Sequence, residues 1–307
     1  MGCPSPVAVF TLRPTRGILS QLLRRRIQVA ARRCRDLCFR WGLVCMVQLS
    51  YADGVYRTRP TRVPAWARLF PSLTFYPRFM WITYQASRKS RQGRYDNPSW
   101  CHSSLGILRV LEGLGVLFTV EGIRHLQGLQ GPCVIVGNHM SMLETVVLPI
   151  IVQPVRDVTF VIKQSLLEYP VFRHVMQSRD PIAVTRVSPR EDLRAVLEGG
   201  VERLQRGISI VVFPQTSRML EFDPSQFNTI GVKLAQRAKV PIVPLALRTD
   251  AWQNGRILKD FGRIDRRRTV HFAFGSPLEV RGRGTEEHQQ IIEFIQGRLR
   301  EWEASGG

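Results

Sequence analysis

The sequence predicts an α/β fold in which a mostly parallel sheet is flanked by helices. From Leu105 onward, short apolar runs of strand length alternate with segments of helical periodicity, the pattern of strands joined by helical crossovers. The 307 residues are 44% apolar, enough for one large α/β domain with an appendage. No internal repeat or long low-complexity tract competes with this reading.

Charge divides the chain. Residues 1–94 hold 18 Lys and Arg against two acids, Asp36 and Asp53, whereas residues 95–307 are nearly balanced. Most of the net charge of +20 therefore belongs to an N-terminal arm, which suits a polyanion such as nucleic acid or an anionic membrane surface. Charge is the one feature that suggests nucleic acid; no recognition motif accompanies it, and no nucleic-acid partner is expected. Residues 1–60, with Arg24-Arg25-Arg26 and Arg32-Arg33, read as a basic, disordered arm.

Residues 61–100 mix aromatics (Trp66, Phe70, Phe75, Tyr76, Trp81, Tyr84) with Arg68, Arg78, Arg88, Lys89, Arg91 and Arg94. This is the composition of an amphipathic, membrane-associating segment, with rings among head groups and cations near phosphates. No run reaches the ~18 apolar residues of a transmembrane helix, so attachment is expected to be peripheral, on the cytoplasmic face. The six cysteines form no CxxC pair and suit a reducing compartment; no metal site is expected.

Residues 101–307 are expected to form the catalytic domain. Helices are predicted at 105–114, 145–152, 190–206, 229–238 and 285–303. Strands are predicted at 116–120, 133–136, 158–162, 182–184, 208–213, 242–247 and 270–274. Gly255 to Arg268 reads as a basic, irregular surface segment.

The strongest chemical signal is Asn138-His139-Met140-Ser141-Met142-Leu143-Glu144, between a buried strand and a helix. Open α/β sheets place active sites beyond the carboxyl ends of such strands. A histidine there can act as a general base if a carboxylate holds its other ring nitrogen. A spacing of five does not align two side chains on one helical face, so Glu144 can serve only if His139 precedes the helix and folds back over it. A second block, Phe213-Pro214-Gln215-Thr216-Ser217-Arg218, runs from a strand into a polar turn ending in a guanidinium suited to phosphate. Lys163 and Arg186 each follow a predicted strand, and Val240 to Leu245 is a short strand carrying two prolines.

In order and spacing these four blocks resemble the 1-acylglycerol-3-phosphate (lysophosphatidate) acyltransferases of the phospholipid-glycerol acyltransferase family, over about residues 105–280. The resemblance implies a glycerolphosphate-acyltransferase-like fold. It implies acyl transfer from acyl-CoA or acyl-carrier protein to the hydroxyl of a lysophospholipid, giving phosphatidate when the acceptor is 1-acylglycerol-3-phosphate. His139 and Glu144 would be catalytic. Lys163, Arg186 and Arg218 would bind the acceptor phosphate, and Gln215, Thr216 and Ser217 would contact substrate. No cofactor is implied, because the thioester is already activated. Two positions depart from the family pattern: Glu144 stands for an aspartate, and Gln215-Thr216 for Glu-Gly. They leave open another lysolipid or amino-lipid acceptor, or a non-catalytic lipid-binding relative.

Overall fold

The structure is a computed structural model. It describes residues 47–170, 172–215, 217–255 and 258–305; most of the basic arm and Thr216 lie outside them. Met46–Gly307 forms one compact unit.

Among the described residues, eight strands form one sheet. They are β1 Tyr56–Arg57, β2 Phe118–Glu121, β3 Val134–Gly137, β4 Val158–Lys163, β5 Ile182–Val184, β6 Ser209–Val212, β7 Ile242–Arg248 and β8 Val270–Phe274. Their order is β1-β2-β8-β7-β3-β6-β4-β5. The pairings β2·β8, β8's neighbour β7 with β3, β3·β6, β6·β4 and β4·β5 are parallel, while β1·β2 and β7·β8 are antiparallel. The expected mostly parallel α/β sheet is therefore present. β3, β6 and β7 are buried along their whole length because helices cover both faces.

Nine α-helices are described: α1 Ala65–Leu69, α2 Pro71–Arg91, α3 Asn97–Gly113, α4 Ile123–Gln127, α5 Leu143–Val152, α6 Phe172–Gln177, α7 Pro189–Gln205, α8 Ile230–Ala238 and α9 Thr285–Ala304. Residues of α2, α3 and α5 share one core cluster with one sheet face. Residues of α7, α8 and α9 share a second cluster with the other. Two helical glycine and strand positions show how tight this is. A Cβ at Gly231 of α8 would meet Val136 Cγ2 at 2.6 Å, and one at Gly137 would meet the Leu245 carbonyl oxygen at 2.8 Å.

Pro244 lies inside β7, in the middle of the sheet. Its missing N–H is tolerated because it falls on the β8 side beyond the last ladder pair, Leu245↔Phe274. There the Pro244 carbonyl accepts from Gly275 N–H at 2.8 Å.

Three readings are corrected. Of residues 1–60, expected to be a disordered arm, 1–46 lie outside the described residues, and 47–60 include a strand. Tyr56–Arg57 pair with β2, and the hydroxyls of Tyr56 and Thr58 donate to Glu112 Oε1 at 2.5 and 2.6 Å. α3 begins at Asn97 rather than 105, because Asp96 caps it by accepting from Ser99 N–H at 2.9 Å and Pro98 fits its first turn. The segment 255–268 is not merely a surface excursion. It follows Trp252, which is fully buried against Phe75 and Phe79 of α2 with ring centroids 4.7 and 5.0 Å away. It also carries a carboxylate into the cavity described next.

α2 has two unlike faces. Thr74, Phe75, Phe79, Thr83 and Ala86 are buried against the body. Leu73, Trp81 and Tyr84 stay exposed, as do Trp66, Leu69 and Phe70 of α1 and its end. Among the described residues no helix is long and apolar enough to cross a membrane.

Candidate active site

β3 ends at Gly137 and the chain leaves the sheet through residues 138–142 before α5 begins at Leu143. Asn138 fixes the exit. Its Nδ2 donates to the Leu247 carbonyl and its Oδ1 accepts from Leu247 N–H, both at 2.8 Å, so the side chain extends the β3·β7 ladder by one amide. His139 is clipped from the other side by the 213–219 turn. Its N–H donates to Gln215 Oε1 at 2.6 Å, and its carbonyl accepts from Met219 N–H at 2.9 Å. Its ring stacks on Phe213 with centroids 4.6 Å apart and planes 8° from parallel. Backbone and ring are thus both held before any substrate arrives.

Because residues 139–142 are not helical, His139 folds back over the first turn of α5. Its Nδ1 lies 2.8 Å from Glu144 Oε1, which resolves the awkward spacing of five. Glu144 is completely buried. Its Oε1 accepts from the N–H groups of Met140 and Ser141 at 2.8 and 2.9 Å. Its Oε2 accepts from Thr249 Oγ1 at 2.6 Å and lies 3.0 Å from Ser141 Oγ. Burial alone would push the Glu144 carboxyl up. The His139 hydrogen bond and charge, with the Thr249 hydroxyl and Ser141 N–H, outweigh it and hold the pKa below the usual carboxylate value. Glu144 is therefore an anion that can stabilise an imidazolium. With Nδ1 committed to it, Nε2 is the ring nitrogen left for the cavity.

That cavity, of about 730 Å³, opens beside His139 at the carboxyl ends of β4, β5 and β6. Part of its lining is apolar, from Trp100, Val146, Phe160, Tyr169, Phe172 and Met176 among others. Lys163, Arg186, Ser217 and Arg218 line the same cavity, so the structure brings the candidate phosphate ligands to one place. Arg186 has φ 60°, a left-handed conformation that costs a side-chain-bearing residue energy. Asp192 of α7 offsets that by accepting from the N–H groups of Thr185 and Arg186, each at 2.7 Å. Burial, and then the neighbouring Arg218 charge, lower the pKa of the Arg186 guanidinium.

Several residues were not anticipated. Lys233 of α8 and Lys259 line the same cavity, and Asp260 pairs with Arg218, its Oδ1 2.6 Å from Nη1. Thr249 and Asp260 lie more than a hundred and about forty residues from the groups they touch, and no local spacing signals either. Phe213 and Asn138 sit inside motifs that were visible, although their stacking and clamping roles were not. Gln215, expected to contact substrate, uses its oxygen to hold the His139 backbone, and its Nε2 is buried with no hydrogen-bond partner among the described residues. Thr216 is outside the described residues.

Comparison with known proteins agrees with this architecture. Residues 117–248 match the model of the acyltransferase family. A 1-acyl-sn-glycerol-3-phosphate acyltransferase from Pseudomonas aeruginosa is 29% identical over 153 residues, 50% of this chain and 57% of that protein. A chloroplastic protein of the same description from Brassica napus is 27% identical over 128 residues, 42% of this chain and 36% of its own length. The chain thus spans little more than half of the first relative and about a third of the second. The crystal structure of PlsC, the 1-acyl-sn-glycerophosphate acyltransferase from Thermotoga maritima, superposes with a TM-score of 0.56 at 20% identity, covering 77% of this chain and 96% of that one. At that identity the likeness speaks for the fold. The chain carries an acyltransferase domain, and the family resemblance drawn from its motifs is borne out.

Proposed function

We propose that this chain transfers a fatty acyl group from an acyl thioester, acyl-CoA or acyl-carrier protein, to the free hydroxyl of a lysophospholipid. The acceptor that fits best is 1-acylglycerol-3-phosphate, which gives phosphatidate. The observation that carries this is a His139–Glu144 pair, preformed at 2.8 Å, beside a cavity lined by both apolar and cationic side chains. A lysophosphatidate carries both an acyl chain and a phosphate.

In this reading His139 Nε2 removes the proton of the acceptor hydroxyl as its oxygen attacks the thioester carbonyl. Glu144 stabilises the imidazolium that forms. The tetrahedral intermediate then expels the thiolate, which leaves as a thiol after taking the proton from His139. Arg218, Arg186 and Lys163 hold the acceptor phosphate, and Ser217 and the 213–219 turn adjoin it. The thioester is itself activated, so the residues here need supply only the base, the electrostatics and the positioning. His139 and Glu144 are the catalytic pair in this proposal.

The exposed Trp66, Leu69, Phe70, Leu73, Trp81 and Tyr84, set among Arg68, Arg78, Arg88 and Lys89, support peripheral attachment of α1 and α2 to the cytoplasmic face of an anionic membrane. That position would let an amphiphilic acceptor enter from the lipid surface. A second reading, a same-fold acyltransferase for another lysolipid or an amino-lipid, is favoured by Gln215-Thr216, which replace the acid and glycine of the family motif.

Labelled acyl-CoA supplied with a panel of lysolipids and a phosphate-free monoacylglycerol tests the proposal. Transfer to lysophosphatidate that disappears in His139→Ala supports it. Transfer confined to phosphate-free or amino-lipid acceptors would establish the second reading.

A further inference from the structure

Between β7 and β8 the described residues, 249–255 and 258–269, have a firm base and an unusual tip. The base is pinned to the body. Trp252 is buried against α2 and forms a bridge with Ile264, Ile264 N–H donates to Ser72 Oγ at 3.0 Å, and Tyr76 Oη donates to the Gly262 carbonyl. At the tip Leu258 is exposed, and Lys259 and Asp260 line the cavity. There Asp260 makes its 2.6 Å pair with Arg218, both side chains about four-fifths buried at 18% and 21% exposure.

The pair is placed where it must interfere with an anion. Arg218 stands close enough to Arg186 for their charges to repel, and Lys163, Lys233 and Lys259 line the same cavity. A cluster of this kind is relieved by any anion. Asp260 supplies one to Arg218, as Asp192 does beside Arg186. A phosphate dianion arriving at Arg218 would meet a carboxylate already on one guanidinium nitrogen, and like charges at that range repel. Phosphate and Asp260 therefore compete for Arg218.

We propose that Asp260 is a specificity-determining residue that acts as an internal stand-in for the acceptor phosphate, so that a phosphate-bearing acceptor must displace it from Arg218. This rests on the reading that Arg218 takes the acceptor phosphate. The competition raises the threshold for binding lone phosphate. It favours an acceptor whose acyl chain, held against the apolar lining, supplies the remaining binding free energy.

Titration calorimetry with inorganic phosphate on the whole protein tests this, alongside KM for lysophosphatidate. Asp260→Asn is expected to bind phosphate about two- to fivefold more tightly, the range of a partly exposed ion pair, and to lower KM in parallel. Asp260→Glu, which keeps the charge, should bind phosphate like the wild type, and Asp260→Ser should behave like Asp260→Asn. Combining Asp260→Asn with Arg218→Gln should abolish the gain. If Asp260→Asn and Asp260→Ser bind phosphate no more tightly, or raise KM, Asp260 serves only to position Arg218 and the proposal fails. In that case phosphate binding still weakened by Arg218→Gln would leave the acceptor reading intact. Insensitivity to Arg218 as well would overturn both.

Discussion

Around His139, backbone and ring are held by partners from three separate parts of the chain, and both carboxylate oxygens of Glu144 accept hydrogen bonds in full burial. The cationic part of the cavity lining is built the other way. Arg186 sits on a left-handed backbone, Arg218 is engaged by Asp260 from an excursion of the chain, and Lys163 is exposed. The difference suits what the proposed function asks of each. A base is needed in one geometry at every turnover, because misplacing a reacting group is costly in rate. A phosphate site has to admit and release a charged group, which suits a partner for Arg218 that can be exchanged.

The strongest way to break the comparison is at its rigid end. His139→Ala should lower turnover by about 10²- to 10⁴-fold, the worth of a positioned general base, while thermal unfolding stays near wild type. Turnover at the wild-type rate would remove His139 from the chemistry.

Glu144→Gln should come next. The imidazolium loses its charged partner, and an amide nitrogen placed among the Met140 and Ser141 N–H groups would leave donors facing donors, at about 1–3 kcal/mol of stability. Glu144→Asp should keep part of the activity. Acid sharpens the same point. The folded-state pKa of Glu144 is below its ordinary value of 4.5, so the unfolded chain binds its proton first as pH falls. The stability that Glu144 contributes is complete above about pH 4.5 and is lost as pH drops through the lower folded value. Denaturant titrations between these limits should show a pH-dependent decline in the wild type that is smaller in Glu144→Gln.

At the adaptable end, Arg218→Lys should raise KM for lysophosphatidate by an amount corresponding to about 1.5–3 kcal/mol, since an ammonium cannot grip two phosphate oxygens. A phosphate-free acceptor should be little affected. Equal kinetics on lysophosphatidate would mean that the phosphate binds elsewhere.

The smallest effect is expected at the surface. Deleting residues 1–95 is not a clean test of attachment, because Phe75 and Phe79 of α2 pack on Trp252 in the core. Trp81→Ser changes only the outer face, where Trp81 is 61% exposed. It should weaken binding to anionic vesicles by on the order of 1 kcal/mol without changing thermal stability. Unaltered vesicle binding after Trp66→Ser and Trp81→Ser together would move the attachment surface off α1 and α2.

Much of this molecule was legible in the residues alone. The strands from β2 to β8 and the helices α5, α7, α8 and α9 follow apolar runs and helical periodicity, which local burial imposes directly. The start of α3 was also written in Asp96 and Pro98, a cap and a first-turn proline, although the apolar pattern begins only at Leu105. β1 and α6 were not legible. They are two and six residues long, too short to show a period, and β1 exists because β2 offers an edge. His139, Glu144 and Arg218 could be picked out because strand ends on one sheet edge converge, and that convergence is a property of parallel βα order. What the residues could not reveal is which partners complete them. Thr249 reaches Glu144 only because β7 lies beside β3, and Asp260 reaches Arg218 only because Trp252 anchors an excursion whose tip lines the cavity. Local sequence determines which segments are buried and which groups can do chemistry. Contacts between segments tens to hundreds of residues apart depend on sheet order and packing, and those decided how the Glu144 carboxylate is held and which partner Arg218 has.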